Sequence, residues 1–222
     1  MGHPASPSPG QFDERYFETY YRDYAAQNPP RRMRFYAQMV ERHLPPGAPR
    51  RIHDIGCAFG RFLGSLDETW EIFGTDVSEF AIAKAAHEIP RGVFKVASAV
   101  AGKVFDKPFG VVTTFDVIEH VPNPDAVAQS AIEQLADGGC FVFVVPVYDG
   151  VTGPVIRLLD RDPTHIHKWS RQRWLDWAAS HFSVVEWKGI LRYLLPGGYY
   201  LHLVTRAFRR HTPAIIVVAR KR

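Results

Sequence analysis

Residues 52–63 read Ile-His-Asp-Ile-Gly-Cys-Ala-Phe-Gly-Arg-Phe-Leu, and this stretch decides the fold. It is typical of a strand that enters a turn containing Gly56 and Gly60 and then continues into a helix. Such a turn points backbone N–H groups toward a ligand at the beginning of the helix. The stretch therefore predicts the first strand and helix of an α/β domain, with a ligand-binding turn between them.

Strand-like and helical segments alternate on both sides of this turn. Strands are predicted at Arg51–Ile55, Glu71–Thr75, Val93–Ala97, Gly110–Phe115, Cys140–Val145, Val184–Lys188 and Ala214–Arg220. Helices are predicted at Phe62–Leu66, Glu79–His87, Asp125–Leu135 and Arg171–Ser180. Alternating strands and helices pack most economically as a parallel sheet with helices on both faces. We therefore expect the α/β class, with a doubly wound, mostly parallel, seven-stranded sheet of the Rossmann-like type.

The N-terminal part of the chain is expected to add helices but no separate domain. Apolar and aromatic residues at helical spacing predict two cap helices, Phe12–Ala26 and Arg32–Leu44. Residues 1–11 are rich in Pro, Ser and Gly and are predicted to be a disordered leader. We expect one domain over residues 12–222: cap helices at 12–47, a cofactor-binding core at 48–146, and substrate-side loops and last strands at 147–222.

The composition is typical of a cytoplasmic protein that spans no membrane. The 222 residues are 46% hydrophobic and 23% charged, which is enough apolar content for the core of one α/β domain. No apolar stretch approaches the ~20 residues of a membrane-spanning helix. The two cysteines, Cys57 and Cys140, form no metal-binding pattern and fit a reducing compartment. The net charge of +4 lies mostly near the C-terminus, where a solvated tail is favoured over contact with nucleic acid.

Two carboxylates near the turn indicate which ligand it holds. Asp76 ends the second predicted strand, where an acidic side chain can accept hydrogen bonds from ribose hydroxyls. Asp54, just before the turn, would repel a dinucleotide pyrophosphate but attract the ammonium and sulfonium groups of S-adenosylmethionine. The dinucleotide pattern G-x-G-x-x-G also fails, because Ala58 and Arg61 occupy two of its glycine positions. S-adenosylmethionine is therefore expected rather than a nicotinamide dinucleotide; a purely structural turn, with Asp54 as a helix cap, is the alternative.

Three segments resemble the class I methyltransferases, in particular the group of ubiquinone-biosynthesis-like and small-molecule methyltransferases. These segments are Asp54–Gly60, Gly74–Ser78 and Phe115–Val121. The resemblance implies a cofactor site built from Asp54, Gly56, Cys57, Ala58, Gly60, Asp76, Val77, Ser98 and Asp116. In it, the turn residues would line the methionine moiety, Asp76 would hold the ribose and Val77 would pack on the adenine.

Two positions depart from the family's usual residues. Ala58 replaces a second glycine, which is tolerable if its backbone keeps a negative φ. Ser98 stands near the expected adenine amine, where many relatives have an acidic residue. Asp116 would face the methionine end of the cofactor.

The resemblance implies methyl transfer to an oxygen or nitrogen atom of a small-molecule acceptor. Residues 160–170, after the fifth strand, match the D-x-x-H-x-x-x-x-S-like segment that relatives place beside the substrate. His165 is therefore the candidate base or acceptor-orienting residue, with Asp116 as the second candidate catalytic residue; a loop histidine bonded to the backbone is the alternative. His165 and His167 alone give two metal ligands with no convincing carboxylate or third histidine nearby in sequence, so no metal is expected.

Other interpretations remain open at this point. The aromatic residues Tyr16, Phe17, Tyr20 and Tyr21 predict either a lid or an amphipathic core stripe. The insertion between the last two strands, around residues 193–200, could be a lid as well. The rival functions are an RNA or protein methyltransferase and a protein that binds S-adenosylmethionine without catalysis. The sequence specifies neither the acceptor nor the oligomeric state.

Overall fold

The computed structural model contains one eight-stranded sheet with helices on both faces. It describes Ala26 and residues 28–150, 153–160, 162–195 and 199–222. The predicted leader and the aromatic cluster at residues 16–21 lie outside the described residues, as does nearly all of the first predicted cap helix. In the described part, no helix is long and apolar enough to cross a bilayer.

The elements follow the predicted alternation along the chain. The strands are β1 Arg51–Ile55, β2 Glu71–Asp76, β3 Val93–Val96, β4 Phe109–Phe115, β5 Leu135–Pro146, β6 Ser183–Leu195, β7 Tyr199–Thr205 and β8 Ala214–Arg220. The helices are α1 Pro30–His43, α2 Arg61–Gly64, α3 Glu79–Glu88, α4 Pro124–Gln134, α5 Gly153–Leu159 and α6 Arg171–His181, with 3₁₀ helices at Ile118–His120 and Arg209–His211. Helix α5 was not expected, since residues 148–170 read as a loop.

The sheet confirms the doubly wound, mostly parallel architecture. Its strand order is β3-β2-β1-β4-β5-β8-β6-β7. Strands β1 to β5 are mutually parallel, β8 is antiparallel to β5 and β6, and β7 is antiparallel to β6. The order reverses between β1 and β4, and ligands of such sheets bind at the carboxyl ends of the strands near this reversal.

The β6–β7 hairpin corrects the expected number of strands from seven to eight. Residues 189–195 continue β6 and pair antiparallel with β7, from Gly189 opposite Thr205 to Leu195 opposite Tyr199. This segment, Gly-Ile-Leu-Arg-Tyr-Leu-Leu, is mostly apolar and contains no proline, so its backbone groups can pair at the sheet edge. Residues 193–195 and 199–200, for which a lid was one interpretation, therefore lie in β6 and β7, and residues 196–198 lie outside the described ones.

The core occupies both faces of the sheet. On β5, Phe141, Phe143 and Val145 pack on one face, and Val142 and Val144 pack on the other. This alternation is the two-residue period of a strand. The first face is covered by α4 and α6, where Trp174, Trp177 and Phe182 are buried; the second is covered by α1 and α2, with Tyr36, Met39 and Leu63. With both faces covered, the exposed carboxyl edge of the strands is where a ligand can bind.

Candidate functional site

The turn after β1 has the geometry that only glycine tolerates at its first position. Gly56 has a φ of 75°, and a Cβ atom added to it would lie 2.3 Å from Cγ2 of Val117. The N–H groups of Gly56 and Cys57 donate to the carbonyl of Thr75, at 2.7 and 2.9 Å. Gly60 precedes α2 in the left-handed conformation, with a φ of 69°. The turn is therefore fixed against β2 and closely packed against the segment that follows β4.

Ala58 does not meet the condition under which an alanine would occupy this position without strain. Its φ is 45°, in the left-handed region, rather than negative. The N–H of Ala58 donates to Oδ2 of Asp76 at 2.9 Å, and the chain must reverse between this bond and Gly60. A left-handed backbone costs a residue with a Cβ atom about 1–2 kcal/mol. The turn therefore carries local strain at the position where relatives place a second glycine.

Asp54 and Asp76 lie close together under the turn; Asp54 is buried and Asp76 is half-buried. Asp54 is 4% exposed and accepts a hydrogen bond from Thr113 Oγ1 at 2.6 Å. Burial raises the pKa of Asp54 to about 7, and the nearby Asp76 adds to this rise. Burial also raises the pKa of Asp76, against the opposing hydrogen bonds from the N–H groups of Ser78 and Ala58. Among the described residues no cation pairs with either carboxylate, so a ligand with positive charge and hydroxyl donors would stabilise both.

The remaining predicted cofactor residues lie along the same edge of the sheet. Asp76 ends β2 opposite Val96 of β3, and Ser98 lies two residues after the end of β3. Val77 is half-buried, whereas Ser98 is exposed and its Oγ accepts from the N–H of Val100 at 3.4 Å. Cys57 is buried, and burial raises its thiol pKa. The structure thus brings together the turn, Asp76, Val77 and Ser98 at the carboxyl ends of β1, β2 and β3.

Asp116 follows β4 and is held by two arginines that the sequence gave no reason to select. Its Oδ2 atom accepts from Nη2 of Arg32 at 2.7 Å and from Nη1 of Arg192 at 2.5 Å. Burial alone would raise the pKa of Asp116, but Arg192 and Arg32 lower it to about 2. The residue has a φ of 59°, which aspartate tolerates better than most residues. Asp116 is therefore ionised and fixed between α1 and β6.

His165 is oriented by side chains rather than by the backbone. Its Nδ1 atom lies 2.9 Å from Oδ1 of Asp160 and 3.1 Å from the hydroxyl of Tyr148. Tyr148 and Lys168 also contact Asp160, at 2.7 and 2.9 Å. A carboxylate at Nδ1 places the proton there and turns Nε2 to the opposite side of the ring. By contrast, Nε2 of His167 lies 2.8 Å from the carbonyl of Val121.

Glu119 and His120 adjoin His165, although the sequence gave no signal that this glutamate is buried. The Glu119 side chain is inaccessible to solvent, and its carbonyl accepts from the N–H groups of Ile166 and His167. The rings of His120 and His165 are 4.7 Å apart, centre to centre. These backbone bonds between the His165 loop and the 3₁₀ helix bring the side chains of Glu119, His120 and His165 together. No local sequence pattern predicts this contact.

Comparison with known proteins identifies the family of this fold. The family profile described as a methyltransferase domain matches residues 24–186. The ubiquinone biosynthesis O-methyltransferase of Azoarcus sp. (strain BH72) is 30% identical over 102 residues, which are 43% of this chain and 44% of that protein. The matched segment thus spans less than half the length of that curated relative.

Solved structures of similar fold cover nearly the whole chain. A SAM-dependent methyltransferase from Thermotoga maritima aligns with a TM-score of 0.65 and 17% identity, over 94% of this chain and 99% of that one. The N-methyltransferase NodS from Bradyrhizobium japonicum WM9, in complex with S-adenosylhomocysteine, aligns with a TM-score of 0.61 and 16% identity, over 89% and 90%. At these identities the likeness shows a common fold.

Proposed function

This chain belongs to the methyltransferase-domain family of S-adenosylmethionine-dependent, class I proteins, and we propose that it transfers a methyl group from S-adenosylmethionine to an oxygen or nitrogen atom of a small-molecule acceptor. The observation that carries the proposal is the pair of carboxylates at the glycine turn, Asp54 buried and Asp76 half-buried, each with a raised pKa. The O-methyltransferase activity of the curated relative supports the acceptor class.

The charges at the turn suit S-adenosylmethionine. The ammonium of its methionine moiety would compensate the ionised form of Asp54, which has no cation partner in the part of the chain that the structure describes. Asp76, held in place by the N–H groups of Ala58 and Ser78, would accept from the ribose hydroxyls. Gly56, Cys57 and Gly60 would line the methionine moiety, and Val77 and Ser98 would border the adenine.

Methyl transfer depends more on the position of the acceptor atom relative to the methyl carbon than on covalent catalysis. The acceptor's lone pair forms a bond to the methyl carbon while the carbon–sulfur pair returns to sulfur, which leaves S-adenosylhomocysteine. The acceptor atom must lie ~3–3.5 Å from the methyl carbon and in line with the departing sulfur. His165, oriented by Asp160, would orient the acceptor or take its proton, and Asp116 would border the methionine end of the cofactor.

Contacts of the C-terminal basic residues favour a small acceptor over a nucleic acid. Lys221 donates from Nζ to the carbonyl of Leu135 at 2.8 Å, and Arg222 donates to the carbonyl of Phe182 at 3.2 Å. The guanidinium of Arg209 stacks on Trp187, 4.1 Å from the ring centre. Side chains engaged in this way fasten the end of the chain to the domain. They do not form the open basic stripe with which proteins follow a phosphate backbone.

The test is calorimetric titration of the protein with S-adenosylmethionine and S-adenosylhomocysteine, with NAD as the negative ligand. We expect both adenosyl compounds to bind the wild-type chain, Asp76→Ala to lose this binding, and NAD not to bind. A screen of phenols and amines with isotopically labelled methyl donor then identifies the acceptor. Binding of NAD instead of the adenosyl compounds would overturn the proposal, and cofactor binding with no transfer to any acceptor would favour a non-catalytic role.

A further inference from the structure

Three potential metal ligands converge beside the proposed acceptor position. Glu119 and His120 belong to the 3₁₀ helix after β4, and His165 belongs to the loop after α5. One ligand atom of each residue lies within 4.8 Å of the other two. No hydrogen-bond partner reaches either carboxylate oxygen of Glu119 within the described ranges, although both oxygens are fully buried.

We propose that Glu119, His120 and His165 bind a divalent transition-metal ion, of the class of Zn²⁺, Co²⁺ or Mn²⁺, next to the methyl-transfer site. Two imidazoles and one carboxylate form a donor set that these ions bind while keeping one or more positions open for water or substrate. Mg²⁺ and Ca²⁺ prefer oxygen donors. Two nitrogen donors and one oxygen donor therefore favour a transition-metal ion over Mg²⁺ or Ca²⁺, and three protein ligands leave at least one coordination position open.

Hydrogen bonds around the cluster orient both rings for this role. Asp160 at 2.9 Å and Tyr148 at 3.1 Å contact Nδ1 of His165. The hydroxyl of Thr164 lies 2.8 Å from Nδ1 of His120. Each contact places Nε2 on the far side of its ring, as the carboxylate–histidine arrangements of metal sites do. Asp162 adds a further carboxylate, with Oδ2 3.9 Å from Nε2 of His165.

The buried charge balance points to a cation as well. A carboxyl group without hydrogen bonds in the interior is costly whether it is neutral or ionised. The buried Glu119 carboxyl lies near the carboxylates of Asp116 and Asp162, and the nearby cation Arg192 is already bonded to Asp116. A dication at this position would give Glu119 both an opposite charge and a coordinating partner. The Glu119 carboxyl would then be ionised and coordinated, rather than buried without a hydrogen-bond partner.

An ion at this position would act on the acceptor directly. An acceptor hydroxyl bound at an open position would release its proton to solvent more easily, and the resulting oxyanion would attack the methyl carbon. In that arrangement His165 acts as a metal ligand rather than as the base. This role rests on the proposed function, whereas metal binding itself does not. The proposal departs from the expectation of no metal because Glu119, distant in sequence from His165, supplies the missing carboxylate.

The test is titration of the full chain, free of a histidine tag and treated with chelator, with Co²⁺ and Zn²⁺. We expect one ion per chain, with Co²⁺ absorption bands in the visible range that report nitrogen and oxygen coordination. Glu119→Gln and His120→Gln should each weaken binding at least ~100-fold, and Asp160→Asn should weaken it ~10–100-fold. His167→Gln is the matched control and should bind as the wild type does, since its ring is bonded to the carbonyl of Val121.

Titration of every variant with S-adenosylhomocysteine distinguishes a specific loss of metal binding from a loss of folding or of cofactor binding. Loss of Co²⁺ binding with cofactor binding retained supports the site. The proposal is overturned if the wild-type chain binds neither ion, or if Glu119→Gln and Asp160→Asn bind Co²⁺ as tightly as it does. If Glu119→Gln no longer binds S-adenosylhomocysteine, its loss of Co²⁺ binding is not specific to the metal site. The Co²⁺ affinity of Asp160→Asn then decides alone whether the metal site exists. A chain that binds Co²⁺ but not the adenosyl compounds would overturn the proposed function and leave the metal site standing.

Discussion

Arg192 on β6 donates from Nη1 to Oδ2 of Asp116, 2.5 Å away at the end of β4. The same oxygen accepts from Arg32 of α1, so one carboxylate joins the late hairpin and the N-terminal helix to the cofactor edge. Asp116 is partly shielded, with 23% of its side chain exposed. Its ionised form therefore depends on the two arginines together.

Removal of both arginines should cost more than the sum of the single removals. Arg32→Met or Arg192→Met leaves one cation on Asp116 and should lower the free energy of unfolding by about 1–2 kcal/mol. The double variant leaves an uncompensated charge and should lose about 3–5 kcal/mol. Urea denaturation measures all four chains. Lys107→Met, which removes an exposed ion pair with Glu71, is the control and should cost at most about 1 kcal/mol; strict additivity would contradict the shared role.

The central part of the fold was predictable because local patterns encode it. Strands β1 to β5 have strand-like apolar patterns, helices separate them everywhere except between β3 and β4, and the glycine turn is contiguous in sequence. Asp54 and Asp76 could be selected from the sequence because their positions relative to the turn place them near strand ends. The left-handed backbone of Ala58 could not be predicted, since it accompanies the bond to Asp76 and does not follow from alanine's own preference.

The acceptor side was less predictable because distant residues build it. The Asp116–Arg192 pair joins β4 to β6, and Glu119 meets His165 through backbone bonds to Ile166 and His167. The hydrophobic periodicity of a sequence does not predict such contacts between distant residues. The β6–β7 hairpin escaped prediction because its aromatic residues fit a lid as well as a strand.

The two small residues of the turn should respond to substitution in opposite ways. Gly56→Ala places a Cβ atom 2.3 Å from Val117 at a φ of 75° and should cost about 2–4 kcal/mol of stability. Ala58→Gly relieves the left-handed strain but adds freedom to the unfolded chain, so the net gain should be up to about 1 kcal/mol. Urea denaturation of both variants tests this. A destabilised Ala58→Gly chain would show that the methyl group of Ala58 contributes more through packing than it costs in strain.

Affinity for S-adenosylmethionine should fall with acidity through the protonation of Asp54. In the free protein the pKa of Asp54 is raised to about 7, whereas the ammonium of the bound cofactor favours the ionised carboxylate. The full affinity is therefore present above about pH 7, and below it binding must expel a proton and weakens about tenfold per pH unit. Calorimetry in buffers of different ionisation enthalpy measures that proton. Asp54→Asn should bind more weakly at neutral pH and without this slope; a wild-type affinity that is flat with pH would exclude Asp54 as the titrating group.

Loss of the His165 ring should reduce methyl transfer without changing cofactor affinity. The ring is fixed by Asp160 on the acceptor side, whereas the cofactor carboxylates lie under the turn on β1 and β2. Whether His165 acts as base, as acceptor-orienting group or as metal ligand, His165→Ala should lower kcat by about 10²–10⁴-fold. His167→Ala keeps the loop but lacks a ring bonded to Val121, and should retain most activity. Turnover is measured with labelled methyl donor and the acceptor found by screening, and affinity by titration with S-adenosylhomocysteine. Equal turnover of His165→Ala and the wild type would show that His165 takes no part in methyl transfer. If His165→Ala instead loses turnover and S-adenosylhomocysteine binding to the same extent, the residue stabilises the carboxyl edge of the sheet rather than acting on the acceptor.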